Sequence, residues 1–122
     1  MLSCRLFILL PFFFILVFAG CDRNAPKDLI DEEHYIDILV EMHLLSAIKE
    51  IDGDANRYLA GQEAVLSHYG IEREQFQRSH SYYHRDMHEQ MLRFREVRDR
   101  LDDLGTELTN RFHEERDTIA AP

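Results

Sequence analysis

The sequence predicts an all-α protein, a small helical bundle of three to four helices with a long C-terminal helix, set behind an apolar N-terminal leader. Three observations point there. Between Pro26 and Pro122 the chain has no proline, so nothing in that stretch removes a backbone donor from a helix. Only Gly53, Gly61, Gly70 and Gly105 interrupt the same stretch as glycines. Apolar residues return every three or four positions, and strict two-residue alternation is absent. A length of 122 residues leaves room for one small domain.

The leader comes first. From Leu6 to Ala19 every residue is apolar, with Pro11 as the only helix breaker; Gly20 closes the run and Arg5 precedes it. A helix from Leu6 to Gly20 would be about 22 Å long at ~1.5 Å per residue. That falls short of the ~30 Å hydrocarbon core of a bilayer. A charged start, a short apolar middle and small residues before a cut site form the secretory pattern. In "LVFAGC", Ala19-Gly20-Cys21 resembles the lipobox of bacterial lipoproteins, whose cysteine thiol is lipidated before cleavage; Phe18 stands where leucine is usual. The resemblance implies a lipoprotein signal peptide over residues 1–20 and lipidation, with palmitate among the acyl chains, at Cys21. The lipid bilayer is then a partner through acylated Cys21. One chain binds only marginally, and several give stable anchoring.

Cysteine chemistry and charge follow. Cys4 leaves with the leader and Cys21 is spent as a thioether, so no disulfide is available and the domain must fold on apolar burial. The formal net charge is −9, and loss of Arg5 with the leader makes it one unit more negative. An acidic chain without a basic cluster is repelled by nucleic acid and by anionic head groups, which excludes nucleic acid as a partner.

Residues 21–28 read as the lipidated cysteine and a short linker. Fully extended, Asp22 to Asp28 reach about 23 Å at ~3.3 Å each, keeping the body close to the bilayer. The helical domain spans 29–116. Helix one covers about Glu32 to Glu50, with Asp31 as N-cap and Ile30 with Tyr35 as a hydrophobic staple. Its stripe of Ile36, Leu39, Val40, Ala47 and Ile48 is widened by Ile38, Met42, Leu44 and Leu45, so the helix should pack on two sides. "IDGDANRY" is a turn. Helix two covers about Asn56 to Tyr69, with Leu59, Val65, Leu66 and Tyr69 inward and Gly70 at the left-handed position that ends it. Helix three covers about Arg73 to Tyr83 and carries Phe76, Tyr82 and Tyr83.

Asp86, with Glu89 three residues on, resembles a capping box and opens the last helix, about Met87 to Arg116. Met87, Met91, Phe94, Val97, Leu101, Leu104, Leu108 and Phe112 mark a narrow seam at nearly coiled-coil spacing. Glu89–Arg93, Glu96–Arg100 and Glu107–Arg111 are i,i+4 pairs worth about 0.2–0.5 kcal/mol each. Gly105 costs about 1 kcal/mol inside a helix and marks a place for a kink or early stop. The helix is long enough to project beyond the bundle. Residues 117–122 read as a disordered tail.

Five pieces, "PKDLI" (26–30), "ILVEMHLLSA" (38–47), "HYGI" (68–71), "QFQRSHSYY" (75–83) and "FREVRDRL" (94–101), together resemble a lipoprotein family of Bacteroidota, the domain of unknown function 4296. "HRDM" after the tyrosines departs from the proline-containing turn often found there. The resemblance implies a small helical lipoprotein and carries no active site to transfer.

Two histidine features bear on chemistry. His80, His84 and His88 stand at i, i+4 and i+8; on one unbroken helix they would share a face and could chelate a divalent metal. The capping signal at Asp86 instead predicts a break between His84 and His88, and no carboxylate completes a set. His43, beside the stripe of helix one, reads as a buried structural histidine with Ser79, Tyr82 or Tyr83 as its hydrogen-bond partner. "IDGDAN" lacks the ligand series and distal glutamate of a calcium loop. No glycine loop, nucleophile elbow or zincin motif occurs.

The expectation is therefore a non-enzymatic, lipid-anchored interaction or accessory module of the cell envelope, at the outer membrane facing the periplasm. It would have no catalytic residues and no cofactor, and a protein partner docked on the seam and aromatics of 76–112. A histidine-dependent metal-binding protein is the rival reading.

Overall fold

The computed structural model describes residues 24–120; the leader and Cys21 lie outside them. Four helices, and no strand among the described residues, make an all-α fold: α1 Glu32–Asp52, α2 Ala55–His68, α3 Arg73–Tyr83 and α4 Met87–Ala120.

Asp31 begins α1, its carboxylate accepting from the His34 N–H at 3.1 Å. Gly53, at φ 70°, ends the helix and donates its N–H to the Lys49 carbonyl at 2.8 Å. The helix lies between α2 and α4, as its broad apolar face demands. Tyr35, Ile36, Ile38, Leu39 and Val40 are buried, so the core sits on its first half. The expected stripe does not stay buried to its end: Ala47 and Ile48 are exposed. Beyond Leu44, α1 runs along α2, where Ser46 and Lys49 reach Tyr58.

Asp54 caps α2 by accepting from the N–H groups of Asn56 and Arg57, both at 3.0 Å. Val65 and Leu66 are buried, but Leu59 is exposed rather than inward. The reason lies in the crossing with α1. A Cβ placed on Gly61 would stand 2.7 Å from Leu45 Cδ2, so the backbones approach closely on the face of Tyr58, Gly61 and Val65, turning Leu59 away. Gly70, at φ 65°, closes α2 with the Ile71 N–H on the Leu66 carbonyl at 2.9 Å.

After α3, the Asp86 carboxylate accepts from the N–H groups of His88 and Glu89 at 3.0 and 3.1 Å, opening α4 where the capping signal placed it. Gly105 does not stop that helix, and it continues past Arg116 through residues 117–120, which the sequence assigns to a disordered tail. Its inner half packs through Gln90 and Val97, only 1% and 2% exposed, with Arg93, Arg100 and Leu101 half-buried. The seam's first members, Met87 and Met91, face outward. Arg93 occupies the inward side instead, its guanidinium 4.6 Å from the Tyr83 ring centre and its Nε 2.7 Å from Glu32 Oε1. From 102 to 119 every residue is exposed, so α4 outruns the bundle.

Candidate functional site

Three places bring chemically capable side chains together: a polar centre under α3, a cleft between α1, α2 and α3, and a groove between α1 and α4.

The polar centre is built on residue 30. Ser79, fully buried, accepts the Ile30 N–H on its Oγ at 3.1 Å, and the Tyr83 hydroxyl donates to the Ile30 carbonyl at 2.6 Å. Upstream, Arg78 pairs with Asp28, Gln75 Nε2 donates to the Asp28 carbonyl at 2.9 Å, and Arg85 reaches the Asn24 carbonyl at 3.3 Å. The Arg78 guanidinium holds the Asp28 carboxyl below its ordinary range. Residues 24–30 are thus laced along α3 rather than extended as a free linker. Beside them, Gln90 Nε2 donates to the Tyr35 hydroxyl at 3.3 Å, and that hydroxyl is hydrogen-bonded to His80 Nδ1 at 2.8 Å. Gln90 Oε1 is buried without a partner.

His80 and His84 are neighbours, with ring centres 4.1 Å apart, but both lie at the end of α3. His84 Nδ1 meets the His80 carbonyl of its own helix at 3.2 Å, and His88 lies across the break, in α4. Among the described residues, no group of three histidine, cysteine or carboxylate side chains is placed to hold a metal ion. Burial, then the neighbouring His84, pushes His80 below the ordinary histidine value.

His43 departs from expectation. It is exposed and bonds the Leu39 carbonyl of its own helix through Nδ1 at 2.7 Å. Ser79 and Tyr83 are engaged with Ile30 instead, because α3 packs toward the chain leading into α1. Gln90 gives no sequence signal at all, since a glutamine in a charged helix reads as solvated surface.

The cleft between α1, α2 and α3 has a volume of about 290 Å³, with Leu39, Met42, Leu66 and Phe76 as apolar wall and His43 and His80 among its polar groups. The groove between α1 and α4 measures about 440 Å³. Val40, Leu44 and Leu104 line it among Asp37, Glu41, Asp103 and Glu107, with Arg100 as the single cation. Arg100 is already held by Asp37 and by Glu96. At the same groove Tyr69 donates to Glu41 Oε1 at 2.8 Å, and burial followed by that carboxylate raises its hydroxyl to about 12. Beyond the groove the apolar face of α4 continues through Leu108 and Phe112, exposed by 53% and 69%.

The sequence profile of a domain of unknown function, DUF4296, matches residues 26–107. The chain belongs to that family. The DUF4296 match begins in the laced segment and ends at Glu107, so it takes in the cleft, the polar centre and the groove but not the outer stripe. Neither the curated proteins nor the solved structures contain a match to the chain. No described helix is long and apolar enough to cross a membrane.

Proposed function

We propose that the protein is a non-enzymatic accessory lipoprotein, anchored through acylated Cys21 at the outer membrane and facing the periplasm, that docks an amphipathic helix of a partner protein. The observation carrying the reading is the α1–α4 groove and its continuation along α4. An apolar floor of Val40, Leu44 and Leu104 lies among four carboxylates and one already-paired guanidinium, then runs on into exposed Leu108 and Phe112. A helix laid in such a groove contributes apolar anchors at i, i+3, i+4 and i+7. The acidic surround selects flanks of lysine and arginine and disfavours a second copy of this acidic chain.

Fluorescence anisotropy tests the docking half with two labelled helical peptides that share one apolar face and differ only in flanks, lysine in one and glutamate in the other. The lysine peptide should bind, weaken with salt, and be lost in Leu104→Glu or Leu108→Glu. Equal binding of both peptides, or of neither, refutes the reading. A dimer in sedimentation that the same substitutions dissolve would replace the partner with a second copy. The anchoring half is tested separately by mass spectrometry of the N-terminal peptide, where an unmodified Cys21 thiol would overturn it.

A further inference from the structure

We propose that the cleft between α1, α2 and α3 binds a small, uncharged aromatic molecule carrying one hydroxyl or amide group. The site is separate from the helix-docking groove and does not depend on it. Its two imidazoles, one from α1 and one from α3, have opposite hydrogen-bonding senses. His43 Nδ1 meets a carbonyl oxygen at 2.7 Å, which requires the proton on Nδ1 and leaves Nε2 as an acceptor. His80 is the reverse when the buried Tyr35 hydroxyl, with Gln90 Nε2 donating to its oxygen, gives its own proton to the acceptor beside it: His80 Nδ1, 2.8 Å away, then accepts, and His80 Nε2 carries the N–H. Neither Nε2 has a partner among the described residues. A ligand hydroxyl within reach of both donates to His43 and accepts from His80, and an amide does the same with its N–H and its carbonyl.

The rest of the cleft sets the body of the ligand. Phe76 and His80 stack at 24° with ring centres 5.7 Å apart, giving the cleft an aromatic side suited to a planar ring. Leu39 and Leu66 are buried, and the Met42 thioether offers a soft contact to an aromatic edge. A volume of about 290 Å³ lies at the small end of ligand sites and suits a single ring. The one formal charge on the wall, Arg73, is paired with Glu63, so the cleft offers no uncompensated cation to draw an anion.

Phenol and toluene, nearly equal in size, test the site by NMR titration of histidine ring resonances in the full chain held in detergent. Free probe concentration is fixed by equilibrium dialysis. Phenol should saturate shifts of His43 and His80 with an affinity about tenfold or more above that of toluene. His43→Leu, on an exposed helix position, should remove that preference while leaving toluene unchanged; a melting curve like that of the parent confirms the fold. Three results overturn the proposal: no saturable shift with phenol, equal affinities for the two probes, or a phenol preference that survives in His43→Leu.

Discussion

Tyr83→Phe removes one hydroxyl and keeps the ring that stacks on Tyr35 at 4.5 Å. The lost group donates at 2.6 Å to the Ile30 carbonyl, and Ile30 and Tyr83 are both buried. Without it that carbonyl stays in the core with no protein partner, a desolvation cost of about 1–3 kcal/mol. Ser79→Ala leaves the Ile30 N–H in the same position through loss of a 3.1 Å bond, with a similar cost of about 1–3 kcal/mol. The double variant should cost less than the two summed, because one released bond lets residue 30 move toward water and relieves the other group. Urea unfolding followed by circular dichroism measures all three. A loss of about 2 kcal/mol corresponds to roughly 8–16 °C in Tm, at about 4–8 °C per kcal/mol for a domain of this size. A Tyr83→Phe protein within about 0.5 kcal/mol of the parent would show that water already reaches the Ile30 carbonyl, and the reasoning would fail.

Other substitutions probe the remaining packing. Gln90→Met should be neutral or stabilising by up to about 1 kcal/mol, since it discards a buried, partnerless Oε1 and one long bond of 3.3 Å; a loss above about 2 kcal/mol in urea would show the amide to be fully satisfied. Ending the chain after Gly105 removes residues 106–119, all exposed, together with the last three residues, and should change the unfolding free energy by less than about 1 kcal/mol, and a larger drop would mean the outer half of α4 packs on the body. His80 has a lowered value in the fold, so the unfolded chain takes up its proton first as pH falls. Its contribution to stability is present above about 6.5 and is lost below that value as pH drops toward its folded one. His34, raised by its bond to Asp31, runs the opposite way: its contribution holds below the unfolded value and fades as pH rises through the folded one. Ring NMR should therefore find His80 titrating below a free histidine and His34 above it, and the reverse order would refute both assignments.

Local grammar made much of this fold readable. The carboxylates of Asp31 and Asp86 open α1 and α4, and Gly70 closes α2, each using groups within a few residues of itself. What escaped depends on partners far along the chain. Ser79, which the sequence offers as a partner for His43, is taken instead by Ile30, 49 positions away. In α4 the apolar interval is correct, and Val97 and Leu101 of the expected seam do face inward, but its first members do not, because period alone does not say which side meets α1. Arg93 settles that by lying over Tyr83, and Met87 and Met91 are swung outward as a result. The apolar helix around His43 points to an interior place for it, yet the burial stops short of the second half of α1. The cleft's two histidines therefore come from separate helices, a juxtaposition no spacing rule contains.

Lacing of residues 24–30 to α3 also fixes how much slack a lipid anchor at Cys21 would have. Only Asp22 and Arg23 separate Cys21 from Asn24. If Cys21 bears the acyl chains, the leash between lipid and body is about 10 Å, three steps of ~3.3–3.6 Å. A leash that short makes the domain a swivelling post rather than a float, free to revolve on its footing but not to drift away from the head groups. With α4 beginning two residues beyond Arg85 and about 50 Å long at ~1.5 Å per residue, the same condition also bounds how far from that leaflet its far end can reach.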